Sequence, residues 1–187
     1  MTSTSDRAGP DLAGSRLMEG SGPVRRWIVE DVDTLSALDV SAMVDRAWQL
    51  DYAGDARPDF NEAFLKRFAE ADGWFAVVAL DDTHRPLGFE LAVPRTLRVK
   101  DGPPAGLDVY YVTAFSVCPD HRRQGIGRLV LEGINDVVLG ERGAHVIFSC
   151  FHDGHAGAPT VSATFSLLPE HDVLPIHRAS MLSCRLE

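Results

Sequence analysis

The segment Val117–Gly127 combines residue types and spacings that can bind an anionic ligand. It joins an apolar run to an amphipathic helical pattern, and the start of a helix carries unsatisfied N–H donors and a partial positive charge. Gly125 and Gly127 would let the backbone approach a ligand closely, because glycine has no Cβ atom. Guanidinium groups, which can bind phosphate through two parallel hydrogen bonds, stand at Arg122, Arg123 and Arg128.

Two common phosphate-binding motifs do not fit this segment. A P-loop requires a lysine directly after its second glycine, and the chain has only Lys66 and Lys100, neither of which follows such a loop. A dinucleotide-binding fingerprint requires a third glycine at the position that Val130 occupies. Nucleoside triphosphate and dinucleotide binding are therefore disfavoured as the role of the segment.

The pattern that remains is Arg122-x-x-Gly125-x-Gly127, preceded by Val117-x-Pro119. It resembles the pyrophosphate loop of the GNAT family of N-acetyltransferases, whose signature is Arg/Gln-x-x-Gly-x-Gly/Ala. The resemblance implies that acetyl-CoA is the acyl donor. A tight strand-to-helix turn that binds nothing is the structural alternative.

The resemblance also assigns roles to the residues around the loop. The strand that precedes the loop would contact the pantetheine arm, and a backbone N–H near Val117 would polarise the thioester carbonyl. The pantetheine residues would be Phe115, Ser116 and Val117. The pyrophosphate residues would be Arg122, Arg123, Gln124, Gly125, Ile126, Gly127 and Arg128. The first two helices would form the acceptor wall.

Acyl transfer to an amine also requires an acid and a base, since the amine must lose a proton and the departing thiolate should gain one. Many family members use a tyrosine in the last helix as the acid, but here that position holds Phe165 or Ser166. The histidines of the loop before this helix can exchange protons near neutral pH. A glutamate within an apolar strand, Glu90, needs a partner or a cleft. The candidate catalytic residues are His152, His155, Glu90, Ser166 and Tyr111.

For several candidates a plainer interpretation stays open. His152 and His155 could be surface residues, Glu90 could form a salt bridge, and Tyr111 could simply pack. A zinc site at His152, His155 and Cys150 would have loose spacing and no evident fourth ligand, so no metal is predicted.

Composition limits the classes of function. The 187-residue chain has 27 acidic and 18 basic residues and a net charge of −9, which disfavours nucleic acid as a partner. The charge permits a cationic acceptor, although solubility alone also explains it. The three cysteines do not suggest a disulfide framework, and no apolar run could span a membrane or form a signal peptide. We therefore expect a cytoplasmic protein.

The hydrophobic pattern predicts a mixed α/β (α+β) fold with one β-α-β unit around the loop. The order of its elements is similar to the GNAT-like acyl-CoA N-acyltransferase fold, and this resemblance implies a central mixed, mostly antiparallel sheet flanked by helices. The predicted strands are residues 24–30, 74–80, 86–93, 109–117, 144–151 and 177–186, and the predicted helices are residues 33–50, 58–72, 124–139 and 159–168. Residues 1–22 are predicted to be a flexible tail before one domain, residues 23–187.

The sequence thus predicts an acetyl-CoA-dependent N-acetyltransferase that acts on an amine of a small molecule or peptide by direct attack. Two alternatives stay open: an N-acyltransferase that uses a longer acyl-CoA or an acyl-carrier thioester, and a non-catalytic acyl-CoA-binding module. A homodimer is also possible, since an exposed C-terminal strand could pair between subunits.

Overall fold

The computed structural model describes residues 12–18, 22–51, 62–99, 107–148 and 184–186. The strands are β1 Ser15–Leu17, β2 Arg25–Val29, β3 Phe75–Leu80, β4 Pro86–Val99, β5 Leu107–Val117, β6 His145–Phe148 and β7 Cys184–Leu186. The helices are α1 Val32–Ala37, α2 Val40–Asp51, α3 Glu62–Ala69 and α4 Ile126–Asn135, with a 3₁₀ turn at Pro119–His121 and a π-helical segment at Asp136–Glu141.

The strands form one sheet in the order β1-β2-β3-β4-β5-β6, with β7 paired to β4. Neighbouring strands are antiparallel, except that β5 and β6 are parallel and are joined through α4. This confirms the predicted mixed, mostly antiparallel sheet with one β-α-β unit. Among the described residues, no helix is long and apolar enough to cross a membrane.

Helices cover both faces of the sheet, and each face has its own core. On one face α1, α2 and α3 pack through Leu35, Met43 and Leu65. On the other face α4 buries its predicted apolar stripe, of which Val130 and Ile134 are fully buried. Strand β3 is buried throughout, because it lies between these two layers, as its unbroken apolar run indicates.

The first predicted helix, residues 33–50, is wrong in its boundaries. Asp31, not Asp33, caps α1, because its carboxylate accepts a 2.7 Å hydrogen bond from the backbone N–H of Thr34. That hydrogen bond holds the pKa of the Asp31 carboxyl below its ordinary value. The chain then breaks at Asp39, whose φ of 52° is incompatible with a continuing helix, and α2 follows.

Other boundaries differ as well. Strand β4 continues to Val99, six residues beyond its predicted end at Val93, because β5 and β7 both pair with this extension. The fourth helix starts at Ile126, not at residue 124, and its last turns are π-helical. Strand β1 was not predicted; it lies within the segment interpreted as a tail and pairs with β2. The predicted helix 159–168 lies outside the described residues.

Candidate functional site

The segment that opened the sequence analysis lies between β5 and α4. After Val117, the N–H of Cys118 donates to the carbonyl of Leu87 on β4 at 2.8 Å, which holds the chain to the sheet as it leaves the strand. The 3₁₀ turn follows, and Nε of Arg122 makes a long hydrogen bond of 3.4 Å back to the carbonyl of Val117. The start of α4 is therefore fixed beside the end of β5.

Two residues of this loop have left-handed backbones. Arg123 has φ 64°, and Gly125, which caps α4, has φ 84° and ψ −1°. Arg123 is not a glycine, and such residues with positive φ concentrate at functional turns because the conformation costs energy. Loops with left-handed residues can direct backbone N–H groups into a concavity that binds anions.

The first turn of α4 has the donors expected of a helix start. The first hydrogen bond of its ladder runs from the N–H of Leu129 to the carbonyl of Gly125, at 2.9 Å. The N–H groups of Ile126, Gly127 and Arg128 precede that bond, so they have no carbonyl one turn earlier within the helix. These donors and the positive end of the helix dipole lie next to Gly125.

The two glycines of the loop have different roles. A Cβ at Gly127 would lie 3.3 Å from Cζ of Phe115 and 3.4 Å from Cγ2 of Val117, so the absence of a side chain lets α4 pack on β5. The sequence suggested close approach to a ligand for both glycines, and at Gly127 the approach is to the protein itself. A Cβ at Gly125 would meet none of the described residues within 4 Å. Gly125 is thus required for its conformation, and no described residue fills the space beside it.

Three arginines flank Gly125 in the sequence. Arg122 is half-buried, while Arg123 and Arg128 are exposed. Nε of Arg128 lies 2.7 Å from the carboxylate of Glu132, one turn along α4. Exposed pairs of this kind are weak, so the Arg128 guanidinium can exchange Glu132 for a phosphate at small cost.

One charged contact at the loop was missed by the sequence analysis. Arg46 of α2 forms a 2.7 Å ion pair with Asp120 of the 3₁₀ turn. The side-chain amide of Gln124 also donates to the backbone carbonyl of Asp120, at 3.3 Å. No local pattern could have indicated the pair with Arg46, because α2 and the turn meet only through the tertiary fold.

A β-bulge in β5 decides which of its side chains face which core. Leu91 pairs with Ala114 and Ala92 pairs with Val112, so Thr113 is the extra residue of β5. Tyr111 and Ala114 consequently both pack against the core under α1–α3. Without the bulge, strict alternation would place them on opposite faces.

Beyond the bulge, β5 continues past its described contact with β6. The described parallel pairing ends where Val112 meets Phe148, whereas β5 runs on to Val117 beside β4. The predicted pantetheine residues Phe115, Ser116 and Val117 are all half-buried in this part of the strand. Phe115 and Val117 pack against the core under α4. Their contact with pantetheine stays a prediction.

Glu90 is the most unusual polar residue of the described chain. It is fully buried in β4, directly opposite Val77 on one side and Phe115 on the other. Directly opposed residues share a face of the sheet, so the carboxyl points into the core under α4. Neither carboxylate oxygen has a hydrogen-bond partner among the residues that the structure describes, and burial raises the pKa of Glu90 well above its ordinary value.

The structure therefore separates two of the candidate catalytic residues. Glu90 points towards α4, while Tyr111 is half-buried on the face of α1–α3, so the sheet lies between them. The full burial of Glu90 does not favour direct contact with an amine in this conformation. The other candidates, His152, His155 and Ser166, lie outside the described residues, and so does Cys150 of the possible zinc site. All five catalytic assignments stay predictions.

Two surface cavities lie away from the loop. One of about 170 Å³ lies at the β3–β4 turn and is lined by residues that include Trp27, Asp81 and His84. The other, of about 430 Å³, is lined by Val109 and Tyr110. The latter lies near the beginning of β5, whereas the candidate site lies at its end.

Comparisons with known proteins agree with this architecture. The sequence model of the acetyltransferase (GNAT) family matches residues 40–158. No curated protein matches the chain significantly. Three of the similar solved structures cover most of the chain, and all share less than a fifth of its residues, so they show the fold alone.

The first of these is an aminoglycoside 6'-N-acetyltransferase of Acinetobacter baumannii, with a TM-score of 0.55, 15% identity and coverage of 75% of this chain and 88% of that one. The second is an aminoglycoside acetyltransferase from an uncultured soil metagenomic sample, with a TM-score of 0.53, 19% identity and coverage of 81% and 94%. The third is a ribosomal-protein-alanine N-acetyltransferase of Brucella melitensis biovar Abortus 2308, with a TM-score of 0.50, 15% identity and coverage of 75% and 89%.

The family match spans well over half of the chain and includes the whole Val117–Gly127 segment. The chain therefore belongs to the acetyltransferase (GNAT) family and is an acyltransferase.

Proposed function

We propose that the protein transfers the acetyl group of acetyl-CoA to an amine of a small-molecule or peptide acceptor, by direct attack of the amine on the thioester. The observation that carries the proposal is the left-handed Gly125 at the start of α4, where no described residue lies within 4 Å of an added Cβ and arginines stand on both sides in the sequence. This arrangement supports a pyrophosphate site at the start of the helix.

The residues of the loop would bind the donor in two ways. The N–H groups at the start of α4 would donate to pyrophosphate oxygens, with the helix dipole favouring the negative charge. Arg122, Arg123 and Arg128 would add charge-assisted hydrogen bonds, which are stronger than neutral ones. The residues present therefore fit the anionic part of coenzyme A.

The end of β5 would position the reacting group. Acetyl-CoA supplies the activated acyl group as a thioester. The backbone of Phe115, Ser116 and Val117 would align the pantetheine arm, and an N–H near Val117 would stabilise negative charge that develops on the carbonyl oxygen. Holding the thioester and the amine in this way would accelerate the reaction by orienting them, without any chemical change in the protein.

The proton transfers would involve residues on the acceptor side. Tyr111 lies on the face of α1–α3, which is the acceptor side by analogy with the family. His152, His155 and Ser166 remain candidates for acid and base by their chemistry and their position after β6 in the chain.

The acceptor we propose is a small cationic amine. Two of the similar structures are aminoglycoside acetyltransferases, and aminoglycosides carry several amines. The chain's net charge of −9 would attract such a molecule by long-range electrostatics. The cytoplasmic location and the homodimer expected from the sequence stay predictions.

The donor site is tested by calorimetric titration of acetyl-CoA into the wild type and an Arg122→Glu/Arg123→Glu variant. Two charge-assisted contacts become repulsive, so we expect affinity to fall by at least about 100-fold. The variant Arg16→Glu/Arg67→Glu makes the same charge change on exposed residues outside the loop, and should bind within about threefold of wild type. Equal affinity of the loop variant and wild type would refute the donor site.

Turnover is tested separately by free-thiol release from acetyl-CoA with a panel of aminoglycosides, polyamines and peptides. The proposal expects amine-dependent release with at least one acceptor class. Tight binding of acetyl-CoA without release by any amine would instead support the non-catalytic module, and release only from longer acyl-CoA donors would support the other alternative.

A further inference from the structure

The ion pair between Arg46 and Asp120 places a helix of the acceptor side against the donor loop. The two side chains are each about half exposed, at 52% and 53%, and their charged atoms lie 2.7 Å apart. Arg46 belongs to α2, whose buried Met43 and Ala47 face the sheet. Asp120 lies in the 3₁₀ turn directly before Arg122 and Arg123.

Asp120 is an acidic residue where an anion site should be positive. The hydrogen bond from the Gln124 side chain to the carbonyl of Asp120 keeps the turn folded back towards the start of α4. An unpaired carboxylate in the turn directly before the loop would repel a bound pyrophosphate, since the Coulomb interaction at a protein surface extends over about 10 Å at moderate salt. A positive partner would cancel most of that repulsion.

We propose that Arg46 acts as a positioning residue for the donor site: it neutralises Asp120 and thereby keeps the loop receptive to the pyrophosphate of coenzyme A. This inference rests on the proposed donor. Arg46 acts through Asp120 and does not touch the ligand. Fold stability does not explain the pair, because exposed ion pairs of this kind contribute little to it.

A rescue experiment distinguishes a positioning role of Arg46 from a purely structural one. Affinity for acetyl-CoA is measured by calorimetry for wild type, Arg46→Ala, Asp120→Asn and the double variant, at about 20 mM and about 500 mM salt. At low salt we expect Arg46→Ala to bind about fivefold more weakly, because it uncovers the carboxylate. Asp120→Asn should bind at least as tightly as wild type, and the double variant should regain wild-type affinity within about twofold.

The chain offers a matched control in the pair between Arg16 and Glu141, which has the same 2.7 Å separation and side chains 57% and 47% exposed. Arg16 belongs to β1 at the edge of the sheet, and Arg16→Ala should leave acetyl-CoA affinity unchanged. High salt should shrink the defect of Arg46→Ala to less than twofold, since it screens the exposed carboxylate.

Three results would overturn the inference. Wild-type affinity of Arg46→Ala at low salt would show that the pair has no effect on the donor. A double variant as weak as Arg46→Ala would show that Arg46 contacts the ligand itself or holds the loop mechanically. Failure of the wild type to bind acetyl-CoA would refute the proposed donor and this inference with it, whereas the first two results leave the donor intact.

Discussion

The two ends of α4 use the same kind of side chain for opposite purposes. Near its start, Arg123 and Arg128 are exposed and Arg122 is half-buried. Past its end, Arg142 is held by the protein: its guanidinium donates to the carbonyl of Gly73 and the hydroxyl of Tyr110, and to the carboxylate of Glu30 at 2.6 Å. The same group stacks on the Phe75 ring, 4.5 Å from its centre.

We interpret the difference as one end of the helix that stabilises the fold and one end that stays available to the proposed ligand. A guanidinium with carbonyl, hydroxyl, carboxylate and aromatic partners joins the end of the helix to β2, β3 and β5. At the other end, Nε of Arg122 makes a long hydrogen bond to the carbonyl of Val117, and the exposed Arg128 forms a weak pair with Glu132. The Arg128 guanidinium can exchange this weak pair for an anion at small cost.

The buried carboxyl of Glu90 adds to the contrast. It lies beneath the first half of α4: a Cβ added at Gly88, two residues earlier on the same face of β4, would lie 2.7 Å from Ile126 and 3.5 Å from Val130, and a Cβ added at Gly127 would lie 3.3 Å from Phe115, the cross-strand partner of Glu90. An unpartnered buried carboxyl costs stability, whereas Arg142 at the other end adds to it. The end of α4 that carries the candidate site is therefore the less stabilised of its two ends.

The largest expected effect comes from Glu90→Gln. Burial raises the pKa of Glu90 in the folded state, so on raising the pH Glu90 ionises in the unfolded chain before it ionises in the folded protein. The contribution of neutral Glu90 to the free energy of unfolding is therefore complete below the ordinary pKa of 4.5. It is lost as the pH rises towards the folded-state pKa. Within that window wild type should lose about 1.4 kcal/mol per pH unit relative to Glu90→Gln. Urea unfolding at several pH values measures this slope.

The same substitution at the exposed Glu141 is the control for Glu90→Gln, and its pH dependence should follow that of wild type. If the stabilities of wild type and Glu90→Gln run parallel between pH 5 and pH 8, then Glu90 has a partner in solution and the contrast between the two ends fails.

The second effect concerns Arg142→Ala. Loss of the cation–π contact and of the hydrogen bonds to Gly73, Tyr110 and Glu30 should lower the free energy of unfolding by about 2 kcal/mol. Acetyl-CoA affinity should not change. Arg128→Ala is the matched variant at the other end, and should weaken binding while leaving stability within about 0.5 kcal/mol. An exchange of these two outcomes would reverse the assignment of the two ends.

The smallest effect comes from Gly125→Ala, which forces a Cβ into a backbone with φ 84°. We expect it to lower the free energy of unfolding by about 1 kcal/mol and to weaken acetyl-CoA binding. Gly140→Ala is the control: this glycine lies in the π-helical segment without a positive φ, so alanine should stabilise by about 0.5–1 kcal/mol. Thermal unfolding compares the two, and a stabilising Gly125→Ala would show that the loop is not strained.

Much of the fold could be predicted from local patterns. The apolar run of β3 and the apolar stripe of α4 are periodic signals, and both elements formed as predicted. Boundaries were less accurate where a single backbone angle decides them, as at Asp39, or where pairing with distant strands extends an element, as in β4. Several nearby residues can cap the same helix, and here the hydrogen bond from the backbone N–H of Thr34 goes to Asp31, so Asp31 is the cap in place of Asp33.

The sequence by itself determined the residues and spacing of the loop, the strand before it and the helix after it, because these depend on local propensity and on chemistry carried within a few positions. The tertiary structure decided which groups meet. The extra residue Thr113 reverses the alternation of β5, and places Tyr111 with Ala114 on the face covered by α1–α3. Packing of α2 brings Arg46 to Asp120, and the pairing of β3, β4 and β5 buries Glu90 without a hydrogen-bond partner among the described residues. Register and helix packing join residues far apart in the chain, so no local pattern contains them.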